Sequence, residues 1–368
     1  MLLKRLSIIN FKNIEHAQLD FEVGINAFVG DNGAGKSNIL DAIYYLSMCK
    51  SMLSLTDAQN VRHGADFFVA DGAYSTQDGR GESIVCSFNK QKYHTKTLKR
   101  NTKEYEKLSD HIGLIPVVVV TPQDSVLITQ AADERRRFLN SFISQLDSQY
   151  LNSLIKYNTL IVQRNKVLKS GGEESMLSIY DEQMRPYAEY IFECRRDLIA
   201  QITPLVERFY RALSGDKEQV TLEYISILHH VDYIEAMQEA RRKDLANEFT
   251  TVGVHRDDMQ LSICGYPLRK YGSQGQQKSF LIALKLAQYM LLSEIRQEKP
   301  ILLLDDLFDK LDAGRVEQLI RIVSGDDFGQ IFITDCNRTR LERILSNLES
   351  PYRLFDVSDG GIEEKTHI

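Results

Sequence analysis

The stretch Gly30-Asp31-Asn32-Gly33-Ala34-Gly35-Lys36-Ser37 constrains this chain more than any other. It satisfies the spacing G-x-x-x-x-G-K-[ST] at every fixed position. Before it, Ile25 to Val29 is a short apolar run, the pattern of a buried strand. After it, Ile39, Leu40, Ile43 and Leu46 fall on one face of a helix. The pattern predicts strand, tight turn and helix in that order. Gly30, Gly33 and Gly35 carry no Cβ, so the backbone can turn sharply and approach a ligand. The freed N–H groups and the helix N-terminus then face an anion. On this reading Lys36 reaches the β- and γ-phosphates of a nucleoside triphosphate and Ser37 ligates Mg2+. Asp31, Asn32, Ala34 and Asn38 complete the cradle. A ligand-free Gly-rich turn is the plainer alternative, but it requires neither the lysine nor the flanking elements.

The rest of the chain bounds what such a loop can serve. Its 368 residues suffice for two or three lobes, and 43% hydrophobic with 26% charged residues is ordinary for a globular protein. No apolar run approaches the ~20 residues of a membrane span. Met1 to Arg5 runs straight into an alternating strand pattern, so no secretory leader is expected. The five cysteines are scattered without a C-x-x-C, which suggests neither a disulfide frame nor a zinc site, and a cytoplasmic location is expected. A net charge of −6 argues against a broad basic surface, so any nucleic acid must be met by a local patch.

In chain order, Leu3 to Phe11 and Ala17 to Phe21 read as a hairpin, and Phe67 to Tyr74 and Ser83 to Phe88 as antiparallel strands. Lys90 to Lys107 is the most basic stretch, with Lys90, Lys92, Lys96, Lys99, Arg100, Lys103 and Lys107 and the rings of Tyr93, His94 and Tyr105. It is either a solvated hairpin or a phosphate-contacting patch. Val117 to Val120 reads as a strand buried on both faces. From Asp133 a helical pattern runs to Leu168, about 50 Å if continuous. Gly171-Gly172 breaks it, and a second pattern from Leu177 to Leu213 carries Pro186 and Pro204, which are expected to kink or divide it. Together they predict an antiparallel helical hairpin, as a plain lobe or a coiled-coil arm. Val220 to Ile227 and Met259 to Cys264 read as strands, with a helix from Tyr233 to Phe249 between them.

Tyr271-Gly272-Ser273-Gln274-Gly275-Gln276 opens a largely buried helix. Ser273, Gly275 and Gln276 match the S-x-G-Q core of an ABC-type signature, a second helix N-terminus offering a hydroxyl and backbone donors to an anion. Ile301-Leu302-Leu303-Leu304-Asp305-Asp306 then reads as a buried parallel strand delivering carboxylates at its end. Asp305 is placed to hold the Mg2+ shell and Asp306 to orient or deprotonate water. Leu311-Asp312 follows after a turn, and Gln330 to Thr334 is a further core strand. Phosphate loop, signature and acidic strand in this order distinguish an ATPase from a small-molecule kinase, in which the signature has no role. The long helical insert argues against an ABC subunit serving a membrane or translation complex.

The layout resembles the SMC-like ATPases, which a helical arm splits. Within them four stretches are similar to the RecF family: Leu6-Ser7-Ile8-Ile9-Asn10-Phe11-Lys12-Asn13, Gly33 to Ser47, Glu134-Arg135-Arg136-Arg137-Phe138-Leu139, and Gly253-Val254-His255-Arg256-Asp257-Asp258, where Val254 replaces the usual Pro. The resemblance implies an α/β fold: an SMC-like P-loop ATPase head with a mixed sheet and flanking helices, plus an inserted helical lobe. The expected divisions are an ATPase part at 1–130, a helical lobe at 131–249 and an ATPase part at 250–368. The resemblance further implies slow, DNA-stimulated ATP hydrolysis with Mg2+ and an ATP-dependent homodimer in which Ser273 of one subunit meets the γ-phosphate held by the other. It implies DNA binding at single-strand gaps, with RecO and RecR as partners in loading RecA during recombinational repair and the SOS response. It also casts Gln123, where the family often has Glu, as a γ-phosphate or metal sensor. His255 and Arg256 are read as either a structured turn or a nucleotide-side pair, with Arg62 and His63 toward the adenine.

Overall fold

The structure, a computed structural model, describes residues 1–91, 95–215, 218–307, 313–346 and 351–365. Lys92, Tyr93, His94, Leu311 and Asp312, singled out above, lie outside them. The chain forms two compact units, residues 1–124 with 285–368, and residues 125–284.

The first unit contains two six-stranded sheets. One is antiparallel, with strands Ile14–Asp20, Leu2–Phe11, Phe67–Ser75, Gly81–Asn89, Thr95–Arg100 and Lys103–Glu104 side by side. The other is mixed. Its neighbouring strands Tyr352–Ser358, Ile25–Val29, Ile331–Asp335, Ile301–Leu304 and Val117–Val120 are parallel, and Gly361–Lys365 is an antiparallel edge. Ile25–Val29 and Ile301–Leu304 are buried at every position, as a parallel strand covered on both faces requires.

The helix Lys36–Met48 packs against strands of both sheets. Every residue but Ser37 and Asn38 is buried, so the helix with a single apolar face expected from sequence is in fact covered nearly all round. Edge-to-face rings (Phe21 with Phe332 at 4.9 Å, Phe11 with Phe68 at 5.1 Å) fill the surrounding core.

Registers matter more than content for function. Val29 pairs with Asp335, and Leu304 with both Ile333 and Val120. The C-terminal ends of four parallel strands therefore line up, and the segments beginning at Gly30, Asp305, Cys336 and Thr121 leave the sheet from one end. Ligands of open parallel sheets bind at that end.

The second unit holds helices Ala132–Leu146, Ser148–Lys169, Glu174–Ser214 and Tyr233–Asn247, and a three-stranded antiparallel sheet of Val220–Ile225, Asp258–Ile263 and Tyr266–Pro267. Two expectations are corrected. The helix predicted from Asp133 breaks at Asp147, which caps the next one by accepting from Gln149 N at 2.7 Å. The helix with two prolines is neither divided nor shortened. It runs for 41 residues with Pro186 and Pro204 on its exposed side, where water satisfies the carbonyls they orphan.

From sequence the chain divides after 130 and 249; contacts divide it after 124 and 284. The reason is strand pairing. Val220–Ile225 pairs with Asp258–Ile263, which keeps residues 250–284 with the helices.

Candidate functional site

The phosphate loop connects Ile25–Val29 to Lys36–Met48 as expected. Gly33 and Gly35 have φ of 85° and 114°, so both positions require glycine. Lys36 is buried, and its Nζ donates to the carbonyls of Gly30 at 2.7 Å and Asp31 at 2.9 Å. The ammonium is thus held inside the curl of the loop, while Asp31, Asn32 and Gly33 are exposed.

Ser37 and Asp305, 268 residues apart in sequence, meet. Ser37 Oγ donates to Asp305 Oδ1 at 2.7 Å. Thr334 Oγ1 donates to the same oxygen at 2.8 Å and accepts from Asp306 N at 2.9 Å. Burial raises the Asp305 carboxyl above its usual range, and the two hydroxyl donors oppose that rise. A buried carboxylate held next to a serine hydroxyl, both at the end of a phosphate loop, is the donor set that Mg2+ takes in such ATPases.

Asp306 follows with φ of 46°, and its buried Oδ1 has no donor among the described residues. An orphaned acceptor of this kind fits a place that water or a cation completes. The carboxylates of Asp306 and Asp335 and the Cys336 sulfur each bring one atom within 4.8 Å of the others. Asp335 is itself anchored, accepting from Arg340 Nη2 at 2.8 Å and Asn337 N at 3.0 Å.

Gln123 is exposed, in the turn after Val117–Val120 and at the same end of the sheet. Its neighbour Asp124 accepts from Thr121 N at 2.7 Å and pairs with Lys285 Nζ at 2.8 Å, so that turn is fixed from both sides. Thr334 and Lys285 were missed from sequence. Thr334 is a fully buried hydroxyl that follows three apolar residues in its strand, which was the available signal.

Ser273, Gly275 and Gln276, in the second unit, open the helix Gln274–Arg296. Ser273 N donates to Gln276 Oε1 at 2.6 Å and Gln276 N to Ser273 Oγ at 3.2 Å, a reciprocal capping box. Gln276 Nε2 also donates to Glu218 Oε1 at 2.5 Å. Ser273 remains exposed, and beside it Tyr266 and Tyr271 are exposed with ring centroids 5.0 Å apart.

Other candidates have partners within the protein. His255 is half-buried, with Nε2 donating to Thr250 O (3.1 Å) and Nδ1 accepting from Tyr157 Oη (2.9 Å); desolvation lowers its pKa to about 4. Arg256 donates to the same carbonyl and covers the Phe249 ring. Arg62 pairs with Glu15. In the basic stretch, Lys96 is spent on Asp57, the Cys49 carbonyl and the Tyr45 ring, and Arg100 holds Glu82 in two 2.8 Å bonds. These two side chains therefore do not point free charge at phosphates, whereas Lys99, Lys103 and Lys107 are exposed.

A model of the RecF/RecN/SMC N-terminal domain matches residues 2–362. A protein of Bacteroides fragilis strain YCH46 named DNA replication and repair protein RecF is 47% identical over 366 residues, covering 99% of this chain and 98% of that protein. One of the same name from Flavobacterium johnsoniae is 45% identical, covering 97% and 100%. A solved structure of the recombination mediator protein RecF with ATP, described in the RecFOR pathway, superposes with a TM-score of 0.89 at 28% identity, covering 99% and 98%. An Smc head domain from Pyrococcus furiosus shares the fold, with a TM-score of 0.58 at 15% identity and coverage of 99% and 96%.

Proposed function

The chain belongs to the RecF family, and from that premise we propose that it is an ATP-dependent DNA-binding protein of recombinational repair and replication restart. The observation that carries the ATPase part is the 2.7 Å contact of Ser37 with Asp305, which joins the phosphate loop to the acidic strand in one site. Backbone N–H groups from Gly30 to Asn38 cradle the phosphates, and Lys36 exchanges its loop carbonyls for the β- and γ-phosphate oxygens. Ser37 and Asp305, with Gln123 from a turn at the same end of the sheet, would hold Mg2+, which neutralises phosphate charge when bound. Asp306, with its unpartnered oxygen, accepts the proton of the attacking water. Ser273, Gly275 and Gln276 complete the pocket from a second copy, so that ATP joins two chains. DNA bound by that dimer is a single-strand gap or duplex junction, and RecO and RecR are its partners in loading RecA. Exposed Lys99, Lys103 and Lys107 supply phosphate contacts.

Asp306→Asn tests this reading by sedimentation and ATP turnover, with and without gapped DNA at several salt concentrations. The variant should accumulate an ATP-bound dimer on DNA, with turnover lowered at least about 100-fold. Wild-type turnover in the variant, or a wild-type chain that stays monomeric with ATP and DNA, overturns it.

A further inference from the structure

The phosphate loop is held from outside by two turns that come from opposite ends of the chain. The first is Lys12–Asn13, between the strands Leu2–Phe11 and Ile14–Asp20. The second is Asp359–Gly360, between Tyr352–Ser358 and Gly361–Lys365, with both residues left-handed at φ of 46° and 80°. That pair is the Asp-Gly hairpin turn whose twist suits antiparallel strands.

Both turns converge on one atom. The Ala34 carbonyl oxygen accepts from Asn13 Nδ2 at 3.0 Å and from Gly360 N at 3.0 Å. Asn13 Oδ1 in turn accepts from Asn38 Nδ2, in the first turn of the helix, at 2.6 Å. Contacts are close throughout. A Cβ on Gly35 would lie 2.7 Å from the Asn13 amide, one on Gly360 would lie 2.6 Å from the Asn13 carbonyl oxygen, and one on Gly30 would lie 2.1 Å from the Val357 carbonyl oxygen.

The Ala34 C=O and the Gly35 N–H belong to one planar trans peptide and point opposite ways. Fixing the oxygen toward Asn13 and Gly360 therefore turns the Gly35 N–H to the inner side of the loop, where a phosphate is met. We propose that the two turns form a brace that presets the Ala34–Gly35 peptide for a triphosphate, and that Asn13 is a positioning residue of the nucleotide site. The proposal rests on the nucleotide reading of the loop. It has a reciprocal consequence. If the brace favours binding, bound ATP tightens the brace, so the C-terminal hairpin senses nucleotide through Gly360.

The test is Asn13→Ala, with ATP affinity measured by titration at 20 °C, turnover at saturating ATP, and melting of the nucleotide-free protein. The brace predicts ATP affinity weakened about 5- to 20-fold with kcat within about twofold, because the loop meets ground state and transition state alike. Gly360→Ala, which drives a Cβ into the first turn at a left-handed position, should weaken ATP similarly. Because both act on one acceptor, the double variant should be no more than about twofold worse than the weaker single. In the wild type, ATP with Mg2+ should slow hydrogen exchange of the Gly360 amide at least about fivefold. Affinity within twofold of wild type in a folded Asn13→Ala, or Gly360 exchange indifferent to ATP, overturns the brace. A lowered melting point with unchanged affinity would make Asn13 structural only and also overturns it. If the wild type itself fails to bind ATP, the nucleotide reading falls first and the brace with it.

Discussion

Asp305 shows how one residue sets function against stability. Its carboxylate is buried and pushed toward the protonated form, opposed by the hydroxyls of Ser37 and Thr334 and the ammonium of Lys36. Removing the charge should help the nucleotide-free fold while destroying the site. Asp305→Asn is expected to stabilise the nucleotide-free protein by about 1 kcal/mol, a rise of roughly 2 °C in melting point, while ATP turnover falls at least about 100-fold. A calorimetric scan without metal, paired with a phosphate-release assay, checks both halves. His255 makes a prediction with the opposite pH sense. Its folded pKa of about 4 lies below the ordinary 6.5, so the unfolded chain takes up a proton that the folded chain refuses. The stability it carries is complete above pH 6.5 and is lost as pH falls toward 4, on the order of 3 kcal/mol over that window. Denaturant unfolding at pH 7 and pH 4.5 should show a shallower loss for His255→Asn than for wild type. At this scale the site was legible where chemistry demands a residue type, as at Lys36, Ser37 and Asp305. It was illegible where the demand is positional. The contacts of Asn13 and Thr334 could not be read locally, because their partners lie 21 and 29 residues away or at the other end of the chain.

Among the elements, the strands around the phosphate loop were read almost to the residue, since a parallel strand buried on both faces leaves a short, mostly apolar run, broken here only by the buried Asn26. The helices were read less well, because periodicity does not see caps. Asp147 ends one helix and starts another within a continuous apolar pattern, satisfying Gln149 N and the Tyr190 hydroxyl together. The prolines do not divide their helix for a related reason. The cost of a helical proline depends on which face it occupies, and both sit on the wet face of a helix anchored by a buried stripe from Leu177 to Leu213. Each still removes one backbone hydrogen bond. Pro186→Ala should therefore stabilise the helix by about 1–3 kcal/mol without changing its course. Urea unfolding followed by circular dichroism reads this as a higher midpoint at constant m. A lower midpoint would mean that the proline's bend is needed to seat the helix. A buried ionic cluster also joins three helices of this unit. Arg164 binds Asp181 and Asp244, each at 2.7 Å, and none of the three is exposed. Arg164→Ala leaves two buried carboxylates short of a cation and should cost about 3–5 kcal/mol, measurable in the same titration.

For the whole molecule, the decisive property is that the phosphate loop and the signature belong to different units of the chain. Ser273 is exposed at the start of its helix, and its hydroxyl and backbone are occupied in fixing the first turn through Gln276. A capping box of this kind presents a rigid, preformed N-terminus with its remaining N–H groups outward, ready for an anion it does not itself carry. Under the proposed function that anion is the γ-phosphate held by a second copy. A positive side chain at Ser273 is then the most selective perturbation available. Ser273→Arg keeps the phosphate loop, Ser37 and Asp305 intact, so ATP should bind the variant monomer within about twofold of wild type. The large side chain at the meeting point should raise the dimer dissociation constant at least about 100-fold, and turnover should fall with it. Light scattering with ATP, set beside nucleotide titration, separates the two effects, because damage to the fold would lower both. A Ser273→Arg chain that dimerises with ATP as readily as wild type would mean that each chain completes its own pocket. In that case the dependence of turnover on protein concentration should vanish as well.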